Sequence, residues 1–252
     1  MGEKKRVGIV GCGVMGAALA GVIEKNAELF LYNRDRSKAE ALGIGTVVDR
    51  LEDMAGSVDI LVIAVKPGAV ELVADGVSAF DGLVISVAGG VSFDRLKGLF
   101  SDNEVVCALP NLAVSKGEGV IGFVDEPLFK ERVVVERVFA GAGLLMWLPE
   151  EKLHALSALA GSGPGFAALI MEAFIEAGIA MGLGPDEAKA LTRQTFVGAA
   201  GLIEKKHPAQ VKWDVAAPGG STIAGVVTME RLGVRAGIVE GILATRDKIH
   251  DS

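Results

Sequence analysis

Three glycines, Gly11, Gly13 and Gly16, follow the apolar run Arg6–Val10 in the spacing Gly-x-Gly-x-x-Gly and open a segment of helical character, Met15–Lys25. In that setting the glycines allow a tight turn, close approach of backbone to a pyrophosphate, and close packing of helix on strand. The helix start also offers free N–H groups to phosphate oxygens. Gly11, Cys12, Gly13, Val14, Met15 and Gly16 are therefore candidate ligands of a dinucleotide. At the end of the next apolar run, about twenty residues on, an acid would grip the ribose 2′-hydroxyl of NAD. Asn33 stands there instead, followed by Arg34, Asp35, Arg36 and Ser37. Asn33, Arg34 and Ser37 suit a 2′-phosphate by hydrogen bonds and charge, so NADP(H) is favoured. Asp35, taking the acid's place after a one-residue shift, keeps NAD(H) open.

Three further strand ends carry candidates for the same cofactor. Ala64-Val65-Lys66-Pro67 closes the run Ile60–Val65, and Lys66 there either faces the cofactor or caps the strand. Ser86-Val87-Ala88-Gly89 closes the next with small residues, which suits a ligand lying close to the backbone of Ala88 and Gly89. Leu109-Pro110-Asn111 closes another, and Asn111 either reaches the nicotinamide or substrate, or bonds its own turn. All lie where ligands bind in open α/β sheets, at the carboxyl ends of the strands.

The elements that must position these residues alternate. Short β-branched runs at Arg6–Val10, Leu29–Tyr32, Ile60–Val65, Leu83–Val87 and Glu104–Ala108 are separated by helical segments at Met15–Lys25, Ser37–Leu42, Ala69–Ala79 and Phe93–Phe100. That alternation predicts βαβ units and a mainly parallel, doubly wound α/β sheet. Two more strands, Val120–Val124 and Leu144–Leu148, bracket a helix at Leu128–Phe139 and extend the sheet edge. After Pro149 the texture changes to Ala-rich helical segments, Ala167–Met181, Pro185–Lys206, Ile223–Leu232 and Ala236–Asp251. The expected division is residues 1–149, a dinucleotide-binding domain, and 150–252, a helical domain. Phe166–Met181 carries only Glu172 and Glu176 as charges. A helix this apolar must be covered on most sides, and a second subunit is expected to cover it.

The chain has 252 residues, half of them hydrophobic, 23% charged, with a net charge of −7. That balance argues against sequence-independent binding to nucleic acid or to anionic membranes, which needs clustered Lys and Arg. Cys12 and Cys107 are too few for a disulfide framework and lack metal-ligand spacing, so no metal is expected. As free buried thiols they fit a reducing cytoplasm. The run after Lys4-Lys5-Arg6 suits a first strand better than a signal core. Leu153–Met171 lacks charged residues but is broken by Gly161-Ser162-Gly163-Pro164, which reads as buried helix rather than a membrane span.

Five segments, in order, resemble the pyrroline-5-carboxylate reductase family: the glycine fingerprint, Val65-Lys66-Pro67, Pro110-Asn111, Gly161-Ser162-Gly163-Pro164, and Pro218-Gly219-Gly220-Ser221-Thr222-Ile223-Ala224-Gly225. They span nearly the whole chain, and the last two are the most specific. The resemblance implies a Rossmann domain followed by an all-helical dimerisation domain that interlocks with a second subunit, with larger rings of dimers common. It implies reduction of 1-pyrroline-5-carboxylate to L-proline by hydride transfer from NAD(P)H, a step of proline biosynthesis. It also implies that Gly219, Gly220, Ser221 and Thr222 hold the carboxylate of the cyclic imine, with Thr222 near the imine nitrogen as hydrogen-bond partner and proton donor. Consecutive N–H groups ahead of a helix starting near Ile223 make such an anion site physically sensible; the plain alternative is a helix cap by Ser221 or Thr222.

The chain departs from the family's pattern in places. Leu112 and Ala113 follow Asn111 where Thr-Pro is usual, and Ala216 and Ala217 precede Pro218 where Thr or Ser is common. His154 stands where an Asp is usual, and Gly165 replaces Ala. Two other readings compete: a related cyclic-imine or β-hydroxyacid reductase, and a non-catalytic NADP(H)-sensing module. The hydroxyacid reading needs a lysine on the first long helix of the second domain, and Gly161–Gly184 contains none.

Overall fold

The computed structural model describes residues 4–250. Residues 1–3 and 251–252, the outer ends of the two expected domains, lie outside the described residues, and with them Asp251, the expected end of the last helix. The described chain forms two compact units, one running to Gly161 and taking in Ile249 and His250, and one spanning Ser162–Lys248.

The first unit is built on strands β1 (Arg6–Val10), β2 (Glu28–Tyr32), β3 (Thr46–Val47), β4 (Ile60–Ile63), β5 (Leu83–Ser86), β6 (Val105–Pro110), β7 (Gly119–Val124) and β8 (Gly143–Leu148). Between them lie helices α1 (Val14–Ile23), α2 (Arg36–Glu40), α3 (Glu52–Ser57), α4 (Val70–Gly76), α5 (Phe93–Leu99) and α6 (Arg132–Val138), and α7 (Leu153–Leu156) follows β8. One sheet takes the order β3-β2-β1-β4-β5-β6-β7-β8. Strands β1 to β6 are parallel, β7 runs antiparallel to β6, and β8 is parallel to β7. The chain steps outward from β1 in both directions, so the order reverses between β1 and β4, where such sheets open a ligand crevice.

Successive residues of the central strands point to opposite faces, and both faces are covered. Ile60 and Val62 of β4 join one core with Leu19 and Ile23 of α1 and Val135 and Val138 of α6. Leu61 and Ile63 join the other, with Met54 of α3, Val70 and Val73 of α4, and Leu96 of α5. This is why the strands read as unbroken apolar runs. At the β7–β8 end, Phe123 is fully buried, stacked on Trp147 at 4.8 Å and tilted against Phe139 at 5.8 Å. Helix α7 stays with the sheet because Leu153 joins the second core and Leu156 lies against Gly122. A π-helical turn, Ser157–Gly161, completes the first unit.

The second unit is helical: α8 (Gly163–Ala180), α9 (Pro185–Ile203), α10 (Pro208–Val215), α11 (Ser221–Arg231) and α12 (Val234–His250). Pro185 opens α9, and the Glu187 carboxylate accepts the Gly184 N–H at 2.8 Å. Helices α8 and α9 pack through Gly178 on Ala188 and an edge-to-face pair of Phe174 and Phe196 at 5.2 Å.

Here the chain differs from the expectation of a buried helical region. The stretch Glu150–Ala180 is long and apolar enough to cross a membrane by length and composition. Within α8 only Gly178 is buried by this chain. Leu169 and Met181 stand 66% and 79% exposed, and Leu191, Val227 and Leu232 are also exposed. These apolar side chains stand uncovered by the described residues of this chain.

Phe123→Ala is expected to cost about 3–5 kcal/mol, because the ring is wholly enclosed and leaves a cavity between α6 and the sheet. The shift of the urea midpoint measures it.

Candidate functional site

At the carboxyl ends of β1 and β4, glycine sets the geometry. Gly11 turns with φ +103°, and a Cβ there would lie 2.5 Å from the Ala64 carbonyl oxygen. A Cβ on Gly16 would lie 1.9 Å from the Gly11 carbonyl oxygen, so the first turn of α1 can sit on the strand end only with glycine there. Around Gly13, by contrast, the space is open. Gly13 caps α1 with no side-chain hydrogen bond, and its carbonyl accepts the Ala17 N–H at 2.8 Å. The N–H groups of residues 14–16 therefore have no partner inside the helix, and the positive end of its dipole faces outward. The open space over Gly13 and these uncapped donors fit a pyrophosphate.

Beside this turn lies a cleft of about 400 Å³ lined by Gly11, Gly13, Asn33, Arg34, Ala64, Val65 and Lys66, with Asp35, Lys38, Leu51 and Leu72 among the other walls. Seven of the expected cofactor residues thus meet in one place. Cys12, Val14, Met15 and Gly16 belong to the turn beside it, and Val14 and Met15 have only their N–H groups to offer. Pro67 opens a short 3-10 turn after Lys66. Ala88 and Gly89 follow β5 but do not line the cleft; the Ala88 N–H donates to the Ser86 hydroxyl at 3.3 Å.

The polar side chains differ from their sequence reading in what they contact. The Asn33 Oδ1 accepts the Cys12 N–H at 2.9 Å, and its Nδ2 donates to the Asp35 carbonyl at 2.8 Å. Asn33 thus ties the glycine turn to the end of β2. The Ser37 hydroxyl donates to the Asp35 carboxylate at 2.7 Å, which holds that carboxyl below its ordinary range, with Lys38 adding to the effect. Arg36 is engaged by Glu40 and Asp49. The cations left on the cleft are Arg34, Lys38 and Lys66. Lys38 belongs to no motif, and the sequence reading passes over it. The signal for it is a second cation four residues after Arg34, on the short helix α2, and both line the cleft.

Asn111 is 7% exposed and does not line the cleft. Its Oδ1 accepts the Val120 N–H at 3.1 Å and its Nδ2 donates to the Ala160 carbonyl at 2.9 Å. The amide serves two backbone groups of the first unit.

The thiols of Cys12 and Cys107 are pushed up to about 11 and about 12 by burial, the latter also by the Glu150 charge. Both are protonated and unreactive at neutral pH.

In the second unit, Ala217-Pro218-Gly219-Gly220 forms a turn closed by the Gly220 N–H on the Ala217 carbonyl at 3.0 Å. Pro218 in second place and Gly219 in third, at φ +71°, are what a type II turn requires. Helix α11 then starts at Ser221, two residues before its expected start, with Gly220 as its cap and no side-chain capping bond. Neither Ser221 nor Thr222 caps the helix. Both are exposed, and the start of α11 presents uncapped N–H groups at residues 221–223.

Residues 150–251 match the family described as pyrroline-5-carboxylate reductase dimerisation, and residues 6–90 match the family described as coenzyme F420-dependent NADP oxidoreductase. A pyrroline-5-carboxylate reductase of Synechocystis is 34% identical over 199 residues, covering 77% of this chain and 74% of that protein. One of Aquifex aeolicus is 31% identical over 254 residues and 96% of both chains. The crystal structure of the Plasmodium falciparum pyrroline carboxylate reductase with NADP bound superposes with a TM-score of 0.86, at 26% identity and 98% coverage of both chains.

Because Asn33 holds the Cys12 N–H, Asn33→Ala is expected to weaken NADPH and NADH alike, each by about tenfold, the loss of one well-placed hydrogen bond. Fluorescence titration with both nucleotides checks it; a loss confined to NADPH would make Asn33 a 2′-phosphate ligand instead.

Proposed function

This chain belongs to the pyrroline-5-carboxylate reductase family, and from that premise we propose that it reduces 1-pyrroline-5-carboxylate to L-proline with NADPH. The observation that carries the proposal is the pairing, in one chain, of the glycine-bounded cleft after β1 with the uncapped turn Gly219–Thr222. We assign the N–H groups of residues 14–16 to the pyrophosphate, with Gly11, Cys12, Gly13 and Gly16 shaping the turn that presents them. We assign Ala64, Val65, Lys66 and Pro67 to the cofactor's path along β4, and Ala88 and Gly89 to its continuation past β5. NADP(H) is the cofactor this site favours: Arg34 and Lys38 bring two cations to the cleft, while the Asp35 carboxylate is held by Ser37. The Plasmodium relative, which binds NADP, supports the same choice. Residues 1–149 are taken as the dinucleotide-binding domain and 150–252 as the substrate-binding and dimerisation domain.

When bound, NADPH supplies the hydride that saturates the C=N carbon. The chain's own part is placement and a proton. Gly219 and Gly220 let the backbone close around the substrate carboxylate, and the N–H groups opening α11 accept its charge. Thr222 carries a hydroxyl with no capping role, assigned here to the imine nitrogen, where it holds the proton that the product amine keeps. A protonated cyclic imine is already a strong electrophile, so positioning supplies much of the rate. No histidine or carboxylate pair is needed.

A homodimer, with assembly into larger rings, covers the apolar surface that α8, α9 and α11 leave open. The dimerisation family matched by residues 150–251 supports the dimer. The two protonated thiols suit a reducing compartment, and we place the enzyme in the cytoplasm.

The deciding experiment is the initial rate of NADPH oxidation by purified protein with 1-pyrroline-5-carboxylate. Robust turnover, faster than with NADH, is expected. Nucleotide binding without turnover on this or other cyclic imines would favour a nucleotide-sensing role. Thr222→Ala is expected to lower kcat by at least about tenfold with the NADPH Kd unchanged, and an unaltered kcat would remove Thr222 from the chemistry. Arg34→Ala and Lys38→Ala are each expected to raise the KM for NADPH several-fold more than that for NADH; equal effects on both nucleotides would overturn the 2′-phosphate assignment.

A further inference from the structure

Asn111 and Pro164 belong to separate motifs, yet one carbonyl concerns them both. Ala160 is the fourth residue of the π-helical turn Ser157–Gly161. Its carbonyl would take an N–H from residue 164 in an α-helix, but residue 164 is proline and has none. The next candidate, the N–H of Gly165, donates to the Ser162 carbonyl at 2.9 Å. The donor that Ala160 receives comes from across the first unit: Asn111 Nδ2 at 2.9 Å. On its other side the same amide accepts the Val120 N–H at 3.1 Å, and the Asn111 N–H donates to the Val120 carbonyl at 3.0 Å. Asn111 is thereby fixed by three bonds to the end of the β6–β7 pair and to the π turn. Its side chain is buried and lies outside the lining of the nucleotide cleft.

We infer that Asn111 is a positioning residue: it supplies the donor that Pro164 withholds and so fixes the π turn at which the chain leaves the first unit. The chain passes into the second unit directly after Gly161, one residue beyond the carbonyl that Asn111 holds. A π turn is an uncommon conformation whose odd carbonyls need partners, and such turns recur at functional sites. Proline at 164 stops the α-helical pattern from running back through the turn. Asparagine at 111 makes the resulting gap harmless. Aspartate, of the same shape, could not do this once ionised, because it then only accepts.

This inference rests on the reductase reading for its kinetic consequences, but part of its test does not. Hydrogen exchange of the peptide covering residues 157–166 is measured in the full-length wild type and in Asn111→Ala, Asn111→Asp, Pro164→Ala and the double variant Asn111→Ala/Pro164→Ala. Both single changes at 111 are expected to speed exchange in that peptide. With 1-pyrroline-5-carboxylate, both are expected to lower kcat about tenfold while the NADPH Kd stays within about twofold. Pro164→Ala restores an N–H one helical turn beyond Ala160, so in that background Asn111→Ala should lose less than about threefold. Unchanged exchange at residues 157–166 would overturn the inference, as would a loss from Asn111→Ala that is equal with and without the Pro164→Ala change. A rise of about tenfold in the NADPH Kd with Asn111→Ala would make Asn111 a direct cofactor ligand instead. A kcat that stays at the wild-type value while the melting temperature falls would reduce it to a packing residue. If the wild type itself fails to turn over the imine, the reductase reading fails, and the exchange data still decide whether Asn111 holds the turn.

Discussion

The first unit depends on a contact that no side chain can enter, the approach of Gly16 to the Gly11 carbonyl. A Cβ at residue 16 would stand 1.9 Å from that oxygen. Any larger residue pushes α1 away from the strand end, and the N–H groups of residues 14–16 move with it. Everything the cleft offers to an anion follows from that approach: the uncapped helix start, the open space over Gly13, and the turn that Asn33 then pins through the Cys12 N–H. The switch in strand order between β1 and β4 supplies the opening, but the glycines set how close backbone and ligand come.

Charge around this cleft is sorted by local partners rather than by count. Arg34, Asp35, Arg36 and Lys38 crowd one short stretch of chain, and two of them are occupied locally. Ser37 holds Asp35, and Glu40 and Asp49 hold Arg36. Arg34 and Lys38 remain on the wall of the cleft. An exposed aspartate would ordinarily oppose a second phosphate. Here the Ser37 hydroxyl takes one oxygen of that carboxylate, which stays ionised, and Arg34 and Lys38 stand on the same wall with two positive charges against its one.

Much of this is legible in the sequence. The parallel strands are buried on both faces and therefore appear as β-branched runs, and the glycine fingerprint carries its own geometric reasons. What is not legible has physical causes. Strand β3 is only Thr46–Val47 and exists through its pairing with β2. Helix α3 is six residues with Gly56 inside it, too short for a periodic signal. The antiparallel direction of β7 leaves no trace in composition. One partner of Asn33 lies 21 residues away and one of Asn111 lies 49 away, and an amide's type does not say which backbone groups it will serve. The sequence puts the start of α11 two residues late because Ser221 and Thr222 read as part of the loop ahead of it, whereas Gly219 in the left-handed region lets the turn finish at Gly220.

Strongly shifted acid–base groups commonly mark active sites, but among the described residues here they mark burial rather than acid–base chemistry. The two shifts that reach well above the ordinary range fall on Cys12 and Cys107, and burial is the main cause of both. A thiol hydrolase built this way would be inert. Reduction of a protonated imine asks for something else: an electrophile and a hydride donor held at the right distance, with water kept from the reacting carbon. The groups suited to that task are rigid donors that carry no proton equilibrium near neutral pH. Backbone N–H groups at two helix starts, and two asparagine amides bonded to backbone, are of that kind. Groups of that kind leave little for titration to reveal, and what each can hold follows from which backbone groups lack partners and which side chains supply them.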